Sequence, residues 1–174
     1  SSGLVASHAG LRALQHRESE MVLVAGVNMI FSAEASVSMG AAGMTSPRGR
    51  SHTFDVRADG YARGEACCPA VLQASSEEEV AARWRLQGSA VRQDGKSASL
   101  TAPSGQAQQA LLTAALADAT NALSQLTLNE AHGTGTALGD PIEVASLASA
   151  VLRERGVESE ALPMGSVKAN GGHA

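Results

Sequence analysis

The stretch LTLNEAHGTGTALGDPIEV, residues 126–144, constrains the fold more than any other. A strand-length run, LTLNEAH, stops at His132, a turn of alternating glycine and threonine follows, and a helix starts at Gly139. Strand, tight turn and helix in that order belong to an α/β protein, with His132 where a parallel sheet usually places its functional groups. The helix is well marked. Asp140 is expected to cap it, Pro141 suits its first turn, Glu143 completes a capping box and Gly156 ends it. Val144, Leu147, Ala148, Val151 and Leu152 would form its apolar face. LPMGSVKA, residues 162–169, reads as the next strand.

The preceding sequence shows the same alternation. Apolar spacing predicts a helix over residues 4–14, and MVLVAGVNMI, residues 21–30, has the length and β-branched content of a strand buried on both faces. Residues 51–66 lack either periodicity and carry several charges and glycines, as an ordered functional loop would. CCPAVLQ, residues 67–73, reads as a short strand in which Pro69 argues for an edge. The acidic residues 75–83 read as a surface connection between two halves. Beyond them a strand over 84–91 and a helix over 104–120 are expected.

Composition excludes several functions. With 13 Lys+Arg against 17 Asp+Glu, a net charge of −4 and 2% aromatic residues, there is neither a basic patch nor a stacking platform for nucleic acid. The longest apolar run is too short to span a bilayer, and no signal peptide is visible, so a cytoplasmic protein is expected. Cys67 and Cys68 are adjacent and supply no disulfide framework or zinc spacing, and they are expected to be buried structural residues.

His132 is read either as a satisfied core histidine or as a functional imidazole, and the adjoining glycines favour the second. The dinucleotide fingerprint fails because its third glycine would fall at Leu138. Thr134 and Thr136 are better placed to hydrogen-bond a neutral polar ligand than to hold phosphate. GSVKANGGHA, residues 165–174, sets Lys168 and His173 at the end of the neighbouring strand. Without a third ligand at characteristic spacing, two imidazoles acting as hydrogen-bond donors fit better than a metal site.

EAHGTGTALGDPIEV, GSVKANGGH, FDVRADGYARGEAC, SAVRQDGKSASLTAPSGQAQ and SSGLVASHAGLRAL together resemble the β-ketoacyl synthase (ketosynthase) domains of modular polyketide synthases and related fatty acid synthases, essentially end to end. The resemblance implies an incomplete thiolase-like layered αβαβα fold, with residues 1–78 the remainder of the first half and 79–174 the beginning of the second. It implies decarboxylative Claisen condensation of an acyl-cysteine thioester with a malonyl-type extender on acyl carrier protein. In that reaction His132 and His173 would stabilise the enolate and Lys168 would support them. Thr134 and Thr136 would contact the phosphopantetheine arm. No permanently bound cofactor or metal is implied, and the complete domain would be a homodimer.

The family's nucleophilic cysteine is expected one position before Ser1, which would leave the segment itself inactive, and with strands of both halves missing and hydrophobic sheet edges open it is expected to fold poorly alone. A non-condensing partner that sets chain length, binds carrier-borne chains or only decarboxylates is the alternative. Three departures suggest a divergent branch: Asn170-Gly171-Gly172-His173 for Asn-Ile-Gly-His, with a looser turn expected, residues 97–103 for Ser-Asn-Gly-Leu-Thr-Ala-Pro, and Gly64-Glu65-Ala66-Cys67 for Gly-Glu-Gly-Cys.

Overall fold

A computed structural model describes residues 2–74, 84–95, 97, 99, 102–119, 122–155 and 161–174. The expected acidic connection at 75–83, the boundary between residues 78 and 79, the helix stop at Gly156 and part of the 97–103 stretch lie outside the described residues.

Helix α1 (Ser2–Gln15) packs on an antiparallel pair, β1 (Met21–Asn28) and β2 (Ala66–Gln73), in which Val24 opposes Ala70 and Ala25 opposes Pro69. Gly10 permits the close approach: a Cβ there would stand 3.1 Å from Cγ1 of both Val22 and Val24. Strand alternation sends these valines toward α1 and their neighbours the other way. Leu23 and Val27 are accordingly 69% and 61% exposed, so β1 is covered on one face only, not on both as its composition suggests. Pro69 sits in β2 opposite Ala25, and among the described residues both strands of this two-stranded pair are edge strands, where proline is tolerated. Cys67 and Cys68 are exposed free thiols on β2, which corrects their assignment to the core.

Helix α2 (Ala33–Ala41), capped by Ser32, follows β1 and has no clear signature in the sequence. Residues 84–91 form no strand. At Ser89 the backbone is engaged by other elements: its N–H donates to Asp118 Oδ2 at 2.9 Å, and its carbonyl accepts from Arg12 at 2.9 Å. Arg12 also pairs with Asp118 at 2.8 Å, tying α1 to helix α3 (Gly105–Asp118), which Ser104 caps.

After the short α4 (Ala122–Gln125), β3 (Asn129–Glu130) leads through α5 (Gly139–Leu147), a π-turn (Ala148–Leu152) and α6 (Arg153–Arg155) to β4 (Met164–Gly165), parallel to β3. Both strands are far shorter than expected, and Lys168 lies in a final helical turn, α7 (Lys168–Gly171), not at a strand end. The π-turn advances the inward face by one residue. Ala150 and Val151 are therefore buried with Leu147 against Leu112, Leu116 and Met164, while Val144 and Leu152 of the expected stripe are exposed.

The solvent-accessible area is 12,066 Å², against about 7,900 Å² for a compact monomer of this mass. Leu4, Leu23, Val27 and Phe31 contribute to the excess. Replacing Gly10 by Leu should overpack the α1–β1 contact and lower stability by about 1–3 kcal/mol, seen as a lower urea midpoint, with Gly10→Ala milder.

Candidate active site

The turn between β3 and α5 has more backbone donors than its own side chains can satisfy, and α5 supplies the acceptors. Glu143 Oε1 accepts from the His132 N–H at 2.6 Å and Oε2 from the Gly133 N–H at 2.8 Å. Asp140, 4% exposed, accepts from Gly135 and Thr136 through Oδ1 at 3.1 and 3.2 Å, and from Phe54 through Oδ2 at 2.8 Å. Leu138, not Asp140, occupies the N-cap and makes no side-chain cap, so the expected capping box is absent. The two acids bind the turn that precedes the helix. A turn rich in glycine leaves its N–H groups to be paired by other residues, but the spacing of the two acids does not show which groups they take.

Two glycines allow the turn to sit deep. Gly133 and Gly135 have φ 45° and 79°, and a Cβ would meet Thr53 Cγ2 at 2.6 Å or the His52 nitrogen at 2.7 Å. Between them Thr134 is buried, its Oγ1 3.4 Å from that of Thr136, which accepts from the Gly139 N–H at 3.2 Å.

His132 follows β3, and its carbonyl accepts from Ser166 Oγ just beyond β4 at 3.2 Å. His173 follows α7 and is held by the loop before β2: its N–H donates to the Ala62 carbonyl at 2.7 Å, and its carbonyl accepts from Gly64 at 2.9 Å. Gly64 must lack a side chain, because a Cβ would lie 2.5 Å from the Gly171 carbonyl oxygen. The two imidazoles meet edge to face with centroids 5.5 Å apart. Tyr61, which no sequence signal marked, lies with its ring centroid 5.3 Å from that of His173. Gly171, expected to loosen this turn, has nothing within 4 Å of a built Cβ, and the turn is anchored through residues 62–64 instead.

Partial burial comes first in pushing both imidazoles below their ordinary range. The Lys168 ammonium adds to the shift in each ring. Glu143 opposes it at His132, and the Ala174 carbonyl, 2.8 Å from Nδ1, opposes it at His173. A carbonyl only accepts, so this contact places the His173 proton on Nδ1. Lys168 is half-buried and makes no ion pair among the described residues. The structure thus brings His132, His173 and Lys168 into one electrostatic neighbourhood, with Thr134 and Thr136 on the adjoining turn. Two neutral rings beside a cation can stabilise negative charge on an oxygen without themselves taking a proton. Among the described residues, no three His, Cys, Asp or Glu side chains are grouped to hold a metal ion.

Comparison with known proteins identifies the family. The β-ketoacyl synthase N-terminal domain matches residues 1–78 and its C-terminal domain residues 84–174. A phenolphthiocerol/phthiocerol polyketide synthase of Mycobacterium tuberculosis is 47% identical over 99% of this chain, which spans 8% of that relative. A highly reducing polyketide synthase of Aspergillus calidoustus is 42% identical over 99% of the chain and 7% of its own length. The ketosynthase from module 6 of the Bacillus subtilis bacillaene synthase superimposes with TM-score 0.91 at 36% identity, covering 99% of this chain and 31% of that one. The Streptomyces albus oxazolomycin ketosynthase domain gives TM-score 0.92 at 33% identity, covering 100% of this chain and 31% of that one. The chain belongs to the β-ketoacyl synthase family and has the α/β, thiolase-like fold of ketosynthase domains, of which it spans about a third of the solved chains. Among the described residues no helix is long and apolar enough to cross a membrane.

Both histidines should titrate below the ordinary value of about 6.5 when followed by NMR of the imidazole protons. Lys168→Met should raise both midpoints by removing a neighbouring positive charge. Because each folded-state pKa lies below its unfolded value, their neutral forms favour folding near neutral pH. That contribution should fall as pH drops through the unfolded value toward the folded ones.

Proposed function

We propose that this chain forms the part of a ketosynthase domain that stabilises the enolate during decarboxylative Claisen condensation in polyketide assembly. The observation that carries the proposal is the edge-to-face pair of His132 and His173, 5.5 Å apart, both held toward the neutral state. A malonyl-type thioester on acyl carrier protein loses carbon dioxide, and the electron pair of the broken C–C bond moves onto the thioester as an enolate. The enolate carbon attacks the carbonyl of an acyl-cysteine, forming the new C–C bond and expelling the cysteine thiolate. Stabilising the enolate oxygen as it gains charge is the step imidazole N–H donors accelerate. His132 is one donor. His173 would serve through Nε2 in the other tautomer, with the Ala174 carbonyl turned away.

Lys168 raises the local positive potential and adds to the burial that disfavours protonation of the rings. Thr134 and Thr136 would hydrogen-bond the amide groups of the phosphopantetheine arm, which enters with its carrier protein and is not a resident cofactor. The nucleophile in this reading is the cysteine expected immediately before Ser1. Cys67 and Cys68 stand on β2 and are assigned no catalytic step. Residues 1–78 and 79–174 would belong to the two thiolase-like halves, a division supported by the family matches to 1–78 and 84–174. Family membership also supports a homodimeric, cytoplasmic complete domain, in which the exposed apolar face of β1 would be covered.

His132→Ala in the complete domain should lower carbon dioxide release from a malonyl-carrier substrate by about 100-fold or more. Unchanged release would remove His132 from the mechanism. Asp140→Asn would leave at least one of the three backbone donors it now accepts unpaired, at about 1–3 kcal/mol in thermal or urea unfolding.

A further inference from the structure

The loop of residues 51–60 contains one strained position that the proposed reaction leaves unexplained. Phe54 has φ 54°, in the left-handed region, where a bulky side chain is an outlier that its surroundings must hold in place. Its N–H donates to Asp140 Oδ2 at 2.8 Å, on the same buried carboxylate that accepts from Gly135 and Thr136. Its neighbour Thr53 donates through Oγ1 to the Gly133 carbonyl at 2.6 Å. Farther along the loop, Gly60 donates its N–H to the Gly135 carbonyl at 2.9 Å. Asp55 and Arg57 close the local bend with a 2.7 Å ion pair.

These bonds place the aromatic ring against the turn. A Cβ built on Gly133 would lie 3.4 Å from Phe54 Cε2 on one side and 2.8 Å from Ser166 Cβ on another. Gly133 is thus enclosed between Phe54, Thr53 and Ser166, and it joins His132 to Thr134. Glycine or asparagine at position 54 would adopt the same φ with less strain, so the ring is the feature that the strain preserves.

We propose that Phe54 is a positioning residue whose ring braces the Gly133 peptide, aligning the His132 imidazole with a thioester delivered along Thr134 and Thr136. This inference rests on the function proposed above. Moving the brace shifts His132 relative to the oxygen it must stabilise, and a small displacement of that kind costs rate while acyl loading proceeds.

The test uses the complete synthase domain with Phe54→Gly, which relaxes the backbone, Phe54→Leu, which keeps the strain without the ring, and Phe54→Tyr, which keeps the ring. Acyl loading is followed by mass spectrometry, carbon dioxide release from malonyl-carrier protein by trapping, and amide exchange of residues 133–136 by deuterium uptake. Phe54→Gly and Phe54→Leu should release carbon dioxide about 10- to 100-fold more slowly, with loading within about twofold of the parent. Amide exchange should quicken at least about tenfold in Phe54→Gly, and Phe54→Tyr should restore all three readouts.

Parent-like release by Phe54→Gly would overturn the proposal, as would equal losses of loading and release, which mark a merely structural residue. If the parent domain itself releases no carbon dioxide, the proposed function fails instead. The exchange readout then decides the brace alone, and unchanged exchange in Phe54→Gly refutes it.

Discussion

A turn built from glycine can approach its neighbours closely, and it then needs other groups to pair its backbone donors. In this chain the N–H groups of His132, Gly133, Gly135 and Thr136 are received by Glu143 and Asp140, carboxylates from the first two turns of the following helix. Charge-assisted bonds of this kind are stronger than neutral ones and hold the turn at a defined depth. The position of His132, the burial of Thr134 and the docking of the 51–60 loop all depend on that arrangement. The helix therefore holds the functional turn in place as well as connecting β3 to β4.

The same carboxylates shape the electrostatics. Burial first and Lys168 second press the His132 pKa down and Glu143 partly offsets them, while burial and Lys168 act the same way on His173, so both rings favour the neutral form. A protonated ring would carry a full charge before reaction and would bind an anionic carboxyl group in its ground state. A neutral donor beside a fixed cation gains most as charge develops on the substrate, which is the condition for lowering a barrier.

Much of this was legible along the chain. The placement of His132 just beyond a strand, with a parallel strand beside it, followed from the sequence; His173 meets it from beyond α7, held by residues 62–64, and not from the end of β4. Three kinds of feature were not legible. Asp140 and Glu143 matched a capping pattern, and local spacing does not show whether an acid bonds forward into its helix or back to the preceding turn. Residues 84–91 have strand-like composition, yet Arg12 and Asp118 engage the polar backbone of Ser89 and no strand partner is present among the described residues. The contacts of Tyr61 with His173, and of Phe54 with Gly133, join segments remote in sequence and leave no periodic trace. Burial depends on distant segments too: composition in β1 and the paired cysteines in β2 state what a surface favours, while their exposure here reflects that nothing among the described residues lies against that face.

Gly171 is exposed, outside the left-handed region and free of neighbours where a side chain would project, although it lies two residues before His173. The turn is anchored through residues 62–64 on its other side, and among the described residues nothing would meet a Cβ at position 171. The position offers an attachment point for a spectroscopic probe, close enough to sense the ionisation of His173 and the arrival of a carrier-borne substrate while leaving the bonded framework of the turn intact.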